Sequence, residues 1–171
     1  LAHDLRAMIS QTIFSVSNDE TRFFMNGVFM EKLPDGELAM VATDGRRLAF
    51  ISTQEADIPD FQSAIIPPKV LSVLLKRASD EGQILMAINE KNVFFRFGNY
   101  QLTSYLIEGK FPNYQKVIPK DQRFKFVVER DELQAALRRV SLFVEKSNKV
   151  IFNVSGKGLV LESEETELGA A

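Results

Sequence analysis

The chain has 171 residues, 21 Lys+Arg against 23 Asp+Glu for a net charge of -2, one histidine and no cysteine. That length holds one sizeable core, or one small domain and part of another, and a hydrophobic content of 45% without a long uncharged apolar run indicates no transmembrane helix. The missing cysteines exclude a disulfide framework and thiolate chemistry, in keeping with a reducing cytoplasm, and the charge balance speaks against a uniformly basic nucleic-acid binder, although positive charge confined to one face would still attract phosphate.

The opening residues Leu1-Ala2-His3-Asp4-Leu5-Arg6 lack the basic region and apolar block of a signal peptide. A start without Met and an end at Leu168-Gly169-Ala170-Ala171 lead us to expect a piece of a longer protein. Leu5, Met8, Ile9, Ile13 and Val16 recur at helical spacing and predict a helix over 4–16. After the polar turn Asn18-Asp19-Glu20, residues 22–30 read as a strand, Leu33-Pro34-Asp35-Gly36 as a tight turn and 37–42 as a second strand. Asp44-Gly45 turns the chain back through a strand over 47–52, residues 54–62 form a surface loop, and 63–66 form a short strand. Pro67-Pro68 opens a second helix, with proline tolerated in the first turn, and Leu71, Leu74, Leu75 and Ala78 make its apolar side.

Strands follow over 84–88, 93–97 and 100–107, the last two joined by the hairpin signal Gly98-Asn99. The segment 111–119 is a proline-bounded extended connector, and Lys120-Asp121-Gln122 marks a domain boundary. Beyond it the pattern predicts a strand over 123–128, a helix over 130–144 and strands over 150–154 and 159–162. An offset of 128 lays the first helix on the third (Ile9 on Leu137, Phe14 on Leu142, Val16 on Val144) and continues to Phe24 on Phe152, a repeat carried by hydrophobic pattern rather than identity.

The run Val41-Ala42-Thr43-Asp44-Gly45-Arg46-Arg47-Leu48-Ala49 is answered about seventy residues later by Gly109-Lys110-Phe111-Pro112-Asn113-Tyr114-Gln115-Lys116-Val117-Ile118-Pro119. Together these segments strongly resemble the bacterial sliding clamp family, the beta subunit of DNA polymerase III. The resemblance implies an α+β fold, the DNA-clamp fold, in which helices pack on antiparallel sheet in repeated domain units. It sets residues 1–121 against the middle clamp domain without its first strand, and 122–171 against the first half of the third domain. It implies a non-catalytic processivity factor of bacterial DNA replication, cytoplasmic and nucleoid-associated, with no cofactor, no metal and no catalytic residue. Full-length relatives of this kind close a ring-shaped homodimer around duplex DNA; this chain is not expected to close a ring by itself.

The family's partner cleft takes short peptides rich in Gln, Leu and Phe from the replicative polymerase, the clamp loader and repair proteins. The matching positions are Met25, Thr43, Gly45, Arg46, Arg47, Leu48, Pro112, Lys116 and Val117. Met25, Leu48, Pro112 and Val117 would supply apolar walls, and Thr43 with the Gly45 backbone would supply hydrogen-bonding edges, in a cleft between two domains. On residue types alone Met25 and Leu48 read as core and Asp44-Gly45 as a hairpin turn; the joint occurrence of both segments favours the cleft. Met25 stands where the family often has Leu, Arg46 where His is frequent, and Lys116 where Arg is frequent, so the planar fork of Arg is lost there. The family's C-terminal tail, one wall of the cleft, has no counterpart here, and the cleft is expected to be incomplete.

Lys69, Ser72 and Lys76 share one side of the second helix, and Gln134, Arg138 and Ser141 share one side of the third, away from the leucines; the first helix offers Arg6 with Ser10 and Gln11. From residues alone these are solvated basic faces. The resemblance carries DNA contact onto Phe23, Phe24, Lys69 and Lys110, and turns the helix faces with Lys76 and Arg138 toward DNA, through weak, non-specific, salt-dependent phosphate contacts.

Enzyme readings find little. His3 lacks a Ser or Cys partner for a triad, Asp44, Asp57 and Asp60 lie in turn-like sequence that favours Asp for backbone reasons, and Glu162, Glu164, Glu165 and Glu167 read as a solvated acidic loop. Gly156-Lys157-Gly158 is a hairpin turn, not a P-loop. The alternative to a clamp is a generic α+β protein-interaction module without DNA contact; a metal-dependent hydrolase built on Asp44 is a distant third.

Overall fold

A computed structural model describes residues 2–54, 58–144 and 149–163 of the chain. Asp57 of the predicted surface loop and Glu164, Glu165 and Glu167 of the acidic run lie outside the described residues. The chain forms two compact units, Leu1–Ile118 and Pro119–Ala171.

In the first unit the order is α1 (Ala2–Ser10), β1 (Val28–Lys32), β2 (Leu38–Thr43), β3 (Leu48–Thr53), β4 (Ala64–Ile66), α2 (Pro68–Arg77), β5 (Leu85–Ile88), β6 (Asn92–Phe97) and β7 (Tyr100–Tyr105). Two antiparallel sheets result, one ordered β3-β2-β1-β4 and the other β5-β6-β7. An isolated bridge joins Ile65 to Ile107. The fold class is thus the expected α+β one, helices on antiparallel sheet.

Strand alternation sorts side chains to two faces. Val28, Met30, Leu38, Met40, Ala42 and Ile66 point to the helix side, where Met8 and Ile9 of α1, Val70, Leu71 and Leu74 of α2, and Val93, Phe95 and Phe97 of β6 complete the main core. The opposite face carries Phe29, Val41, Leu48 and Ile65, and it too is covered: Phe111 and Tyr114 of the connector, with Phe24 and Ile107, close a second core over it. Every residue of β2 is therefore buried.

The first predicted helix is corrected at both ends, since α1 spans Ala2–Ser10 and does not reach Val16. Buried Thr12 turns its hydroxyl back to the Met8 carbonyl at 2.8 Å, and the chain tightens into a 3-10 turn, Ile13–Ser15. The strand expected over 22–30 is also corrected. Glu20–Met25 is 3-10 helix, capped by Asp19, whose carboxylate accepts the Thr21 N–H at 2.9 Å, while Ser17 N–H donates to Met25 O at 3.0 Å and closes the loop on itself. Only from Val28 is the backbone free to pair.

In the second unit α3 (Arg130–Ser141) packs on the hairpin of β8 (Val150–Ser155) and β9 (Gly158–Ser163). The helix stops three residues before Val144, with Leu142 and Phe143 left exposed and nothing apolar to hold a further turn. The strand predicted over 123–128 is absent among the described residues: Phe124 and Val127 are 88% and 96% exposed. The segment has strand propensity, but the β8–β9 sheet is two-stranded and pairs nothing with it. The repeat at offset 128 holds for helix on helix, then fails, because Phe24 lies in 3-10 helix and Phe152 in a strand.

Of the glycines in the first unit, Gly27 has the least room for a side chain. A Cβ there would stand 2.7 Å from both Ile65 Cγ2 and the Ile66 carbonyl oxygen, and 2.8 Å from Ile107 Cδ1. We expect Gly27→Ala to destabilise this unit by about 2 kcal/mol, the range for overpacking a close-packed core, measured as a lower urea midpoint by circular dichroism; an unchanged midpoint would show that β1 and β4 separate freely.

Candidate functional site

The turn between β2 and β3 is closed by a set of short-range polar contacts. Thr43 Oγ1 donates to Arg47 O at 2.7 Å and accepts the Gly45 N–H at 3.1 Å, closing the turn from inside. The Asp44 carboxylate accepts the N–H groups of Arg46 at 2.9 Å and Arg47 at 3.0 Å, and the Arg47 Nε at 3.2 Å. These donors, the Arg46 N–H first and the Arg47 N–H next, hold the Asp44 pKa below the ordinary aspartate value. Asp44 is thus employed as a turn residue.

Gly45 has φ +86, a left-handed conformation, and a Cβ there would come 2.9 Å from the Arg22 guanidinium. Arg22 is held in turn by Asp19, Nε to Oδ2 at 2.8 Å. The Thr21 hydroxyl, then Arg22, lower the Asp19 pKa to about 2. Arg22 was not among the residues singled out from sequence; the i, i+3 spacing from Asp19 was its only signal.

The connector lies across one face of the same sheet. Phe111 stacks on Phe29 with ring centroids 4.8 Å apart, and Tyr114 stacks on Phe50 at 5.7 Å. Leu48 packs against this cluster. Tyr114–Lys116 forms a short 3-10 turn rather than the purely extended chain expected, which leaves Lys116 and Val117 exposed beyond the two buried anchors. Pro112, half-buried, lies between those anchors. The structure therefore brings Leu48, paired with Thr43 at the end of the hairpin, into one cluster with the Phe111 and Tyr114 anchors that flank Pro112, while Lys116 and Val117 are exposed on the connector beyond them. Arg46 and Arg47 are exposed on the turn itself, Arg47 5.9 Å from the centre of the exposed Phe14 ring. Met25, by contrast, is 5% exposed and sits in the interior, so its contribution is to support rather than to surface.

Tyr114 is itself nearly buried, and its hydroxyl donates to Glu31 Oε1 at 2.6 Å. Burial, reinforced by that bond, pushes its pKa up to about 12. The phenol is therefore a donor at any physiological pH, and what this bond contributes declines only as pH rises past the ordinary tyrosine value toward about 12.

Among the residues expected to face DNA, Phe23 and Phe24 lie edge to face at 5.9 Å, Phe23 half exposed. Gly109, at φ +113, packs against them: a Cβ would stand 3.2 Å from Phe24 Cβ, and Lys110 follows it in the chain, exposed. Lys69 and Lys76 are exposed on α2, and Arg138 is exposed on α3. Arg6 is corrected as a member of a basic face. Its Nη1 caps the end of α2 through Leu75 O and Ala78 O, both at 2.5 Å, and its Nε pairs with Asp80 at 2.6 Å.

A groove of about 940 Å³ opens beside the stacked Phe29 and Phe111, between Gln62–Ile65, Ile88–Lys91 and Tyr105–Lys110, with Lys91 and Lys110 balanced by Glu90 and Glu108. Among the described residues no group of three or more His, Cys, Asp or Glu could hold a metal ion, and no helix is long and apolar enough to cross a membrane. Asp60 pairs with Lys32 at 2.8 Å, which lowers its pKa. His3 is an exposed residue 3.5 Å from Asp4, and Glu162 accepts a hydrogen bond from Asn153 at 2.7 Å.

Residues 2–113 match the family model for the central domain of the DNA polymerase III beta subunit, and residues 115–171 match the model for its C-terminal domain. The beta sliding clamp of Treponema pallidum is 42% identical over 174 residues, covering 98% of this chain and 47% of its own length. Among solved structures, the Pseudomonas aeruginosa sliding clamp bound to griselimycin superposes with a TM-score of 0.88 at 29% identity, covering 99% of this chain and 47% of that one. The Borrelia burgdorferi beta subunit in complex with a natural product superposes at 0.84 with 32% identity, covering 90% and 41%. The chain spans about half the length of the relatives it matches.

The Asp44 geometry yields a pH prediction. A depressed pKa means the turn is fully held above the ordinary aspartate value and is released as pH falls through the lower, folded one. The amide resonances of Arg46 and Arg47 should titrate together with a midpoint below that of an unstructured aspartate, and should lose the titration in Asp44→Asn.

Proposed function

Because the chain belongs to the family of the DNA polymerase III beta subunit, the bacterial sliding clamps, we propose that it serves in a processivity clamp: a non-enzymatic scaffold that, in the whole protein, closes as a ring-shaped homodimer around duplex DNA. In this reading it is cytoplasmic and nucleoid-associated. It recruits the replicative polymerase, the clamp loader and repair proteins through one peptide cleft. The cleft comprises Met25, Thr43, Gly45, Arg46, Arg47, Leu48, Pro112, Lys116 and Val117, to which Arg22 is added by its position beside Gly45.

The observation that carries this is the docking of the connector. Two aromatic anchors seat it on the sheet beside the β2–β3 hairpin, so that segments about seventy residues apart in sequence share one cluster with Leu48. A bound peptide would find an apolar floor at Leu48 and Pro112, an exposed Val117 at 67% accessibility, and cations at Arg46, Arg47 and Lys116.

DNA contact is proposed for Phe23, Phe24, Lys69, Lys76, Lys110 and Arg138. The aromatic pair with Lys110 gives a mixed stacking and cationic patch, and Lys69 and Lys76 add charge along α2. Such contacts meet phosphates rather than base edges, so they hold DNA weakly and weaken further as salt rises. Encirclement needs no more than this, which reconciles a net charge of -2 with a DNA role.

A fluorescein-labelled Gln-Leu-x-Leu-Phe peptide should bind the chain saturably by fluorescence polarisation. Replacing Leu48→Ala together with Pro112→Ala should weaken it by about tenfold or more, the loss typical of removing central apolar anchors. Equal binding to both proteins, or none to the unmodified chain, would contradict the cleft.

A further inference from the structure

We infer that Glu31 and Tyr114 are positioning residues for this cleft: the hydrogen bond between them holds the connector on the sheet so that Pro112, Lys116 and Val117 stand ready beside Leu48. The inference rests on the cleft proposed above and deepens it.

The geometry is that of a cross-brace. Tyr114 stacks on Phe50 of β3 and reaches Glu31 of β1 with its hydroxyl, at 2.6 Å. Its ring must therefore cross β2, whose residue paired with Glu31 is Ala39, a fully buried position with only a methyl group to offer. A small residue in the middle strand and a long acceptor in the next one fit a tyrosine laid across three strands. Phe111, stacked on Phe29 with the planes 4° apart, fixes the connector three residues earlier. The two stacks alone would permit sliding along the sheet, since aromatic contacts are broad in direction. The hydroxyl–carboxylate bond is directional and sets the register. Immediately beyond, the Val117 N–H donates to Tyr114 O at 3.1 Å, so the exposed end of the connector takes its position from the same residue. A cleft whose competent form is only partly populated binds in proportion to that population, so loosening the brace weakens binding without touching any residue that meets the peptide.

The test uses the full 171-residue chain and three single variants. Tyr114→Phe keeps the ring and its stack and removes only the hydroxyl. Glu31→Ala removes the acceptor, and Glu31→Gln keeps an acceptor oxygen. Two readouts are taken: affinity for the labelled Gln-Leu-x-Leu-Phe peptide, and amide hydrogen exchange at Val117 with β6 as the internal reference. Tyr114→Phe and Glu31→Ala should each weaken the peptide by about five- to tenfold, as loss of a hydrogen bond to a charged group does, and should speed Val117 exchange while β6 stays protected. The double variant should be no weaker than either single one, because both remove the same bond, and Glu31→Gln should stay near the unmodified chain. Faster exchange with unchanged affinity would reduce the pair to fold stabilisation and overturn the inference. Weaker binding without faster exchange would overturn it as well, by placing the effect elsewhere. Absence of peptide binding by the unmodified chain would remove the cleft itself, an outcome separable from the other two.

Discussion

The four-stranded sheet β3-β2-β1-β4 is buried on both faces, and the rest of the first unit follows from that constraint. An antiparallel sheet ordinarily packs one face and leaves the other to water. Here the helices take one face and the connector takes the other, with Phe111 and Tyr114 supplying the cover. Burying each such ring contributes about 2 kcal/mol, enough to seat a segment that has almost no regular structure of its own. Because the cover is a connector and not a strand or helix, its far end, Lys116 and Val117, stays exposed.

The proposed partner cleft is a consequence of that arrangement. Its two halves are unequal in origin. The hairpin half is fixed locally, by Thr43 closing the turn, Asp44 accepting two backbone N–H groups, and Gly45 supplying the positive φ. The connector half is fixed only through tertiary contact, by two stacks and one hydrogen bond to β1. A surface built this way has one rim set by local backbone chemistry and another set by long-range contacts.

Much of this was legible from residues. The Asp-Gly turn, the Pro-Pro helix start and the Gly98-Asn99 hairpin were readable because each depends on local backbone chemistry, and each stands in the structure close to its predicted place. What misled was periodicity without a partner. Residues 22–30 carry two apolar runs that suggest a strand, yet Asp19 and Ser17 hold the first of them in a capped 3-10 loop. Residues 123–128 have strong strand propensity and no strand beside them. The basic faces were misread at Arg6, whose charge is consumed by the end of α2, because a count of cations on a helical wheel cannot see carbonyls from another helix. Arg22, Glu31 and Tyr114 escaped notice as site residues for the same reason: their roles lie in contacts of long range or in a neighbouring turn, not in any motif.

The most direct test of the central claim, that the partner surface is the hairpin and the seated connector, is to map peptide-induced amide shifts on the isotopically labelled chain. The account predicts that shifts concentrate at Thr43, Gly45, Leu48, Lys116 and Val117, while β5 and β6 stay silent. Shifts gathered instead around Gln62, Lys91 and Tyr105, on the far wall of the neighbouring groove, would contradict it.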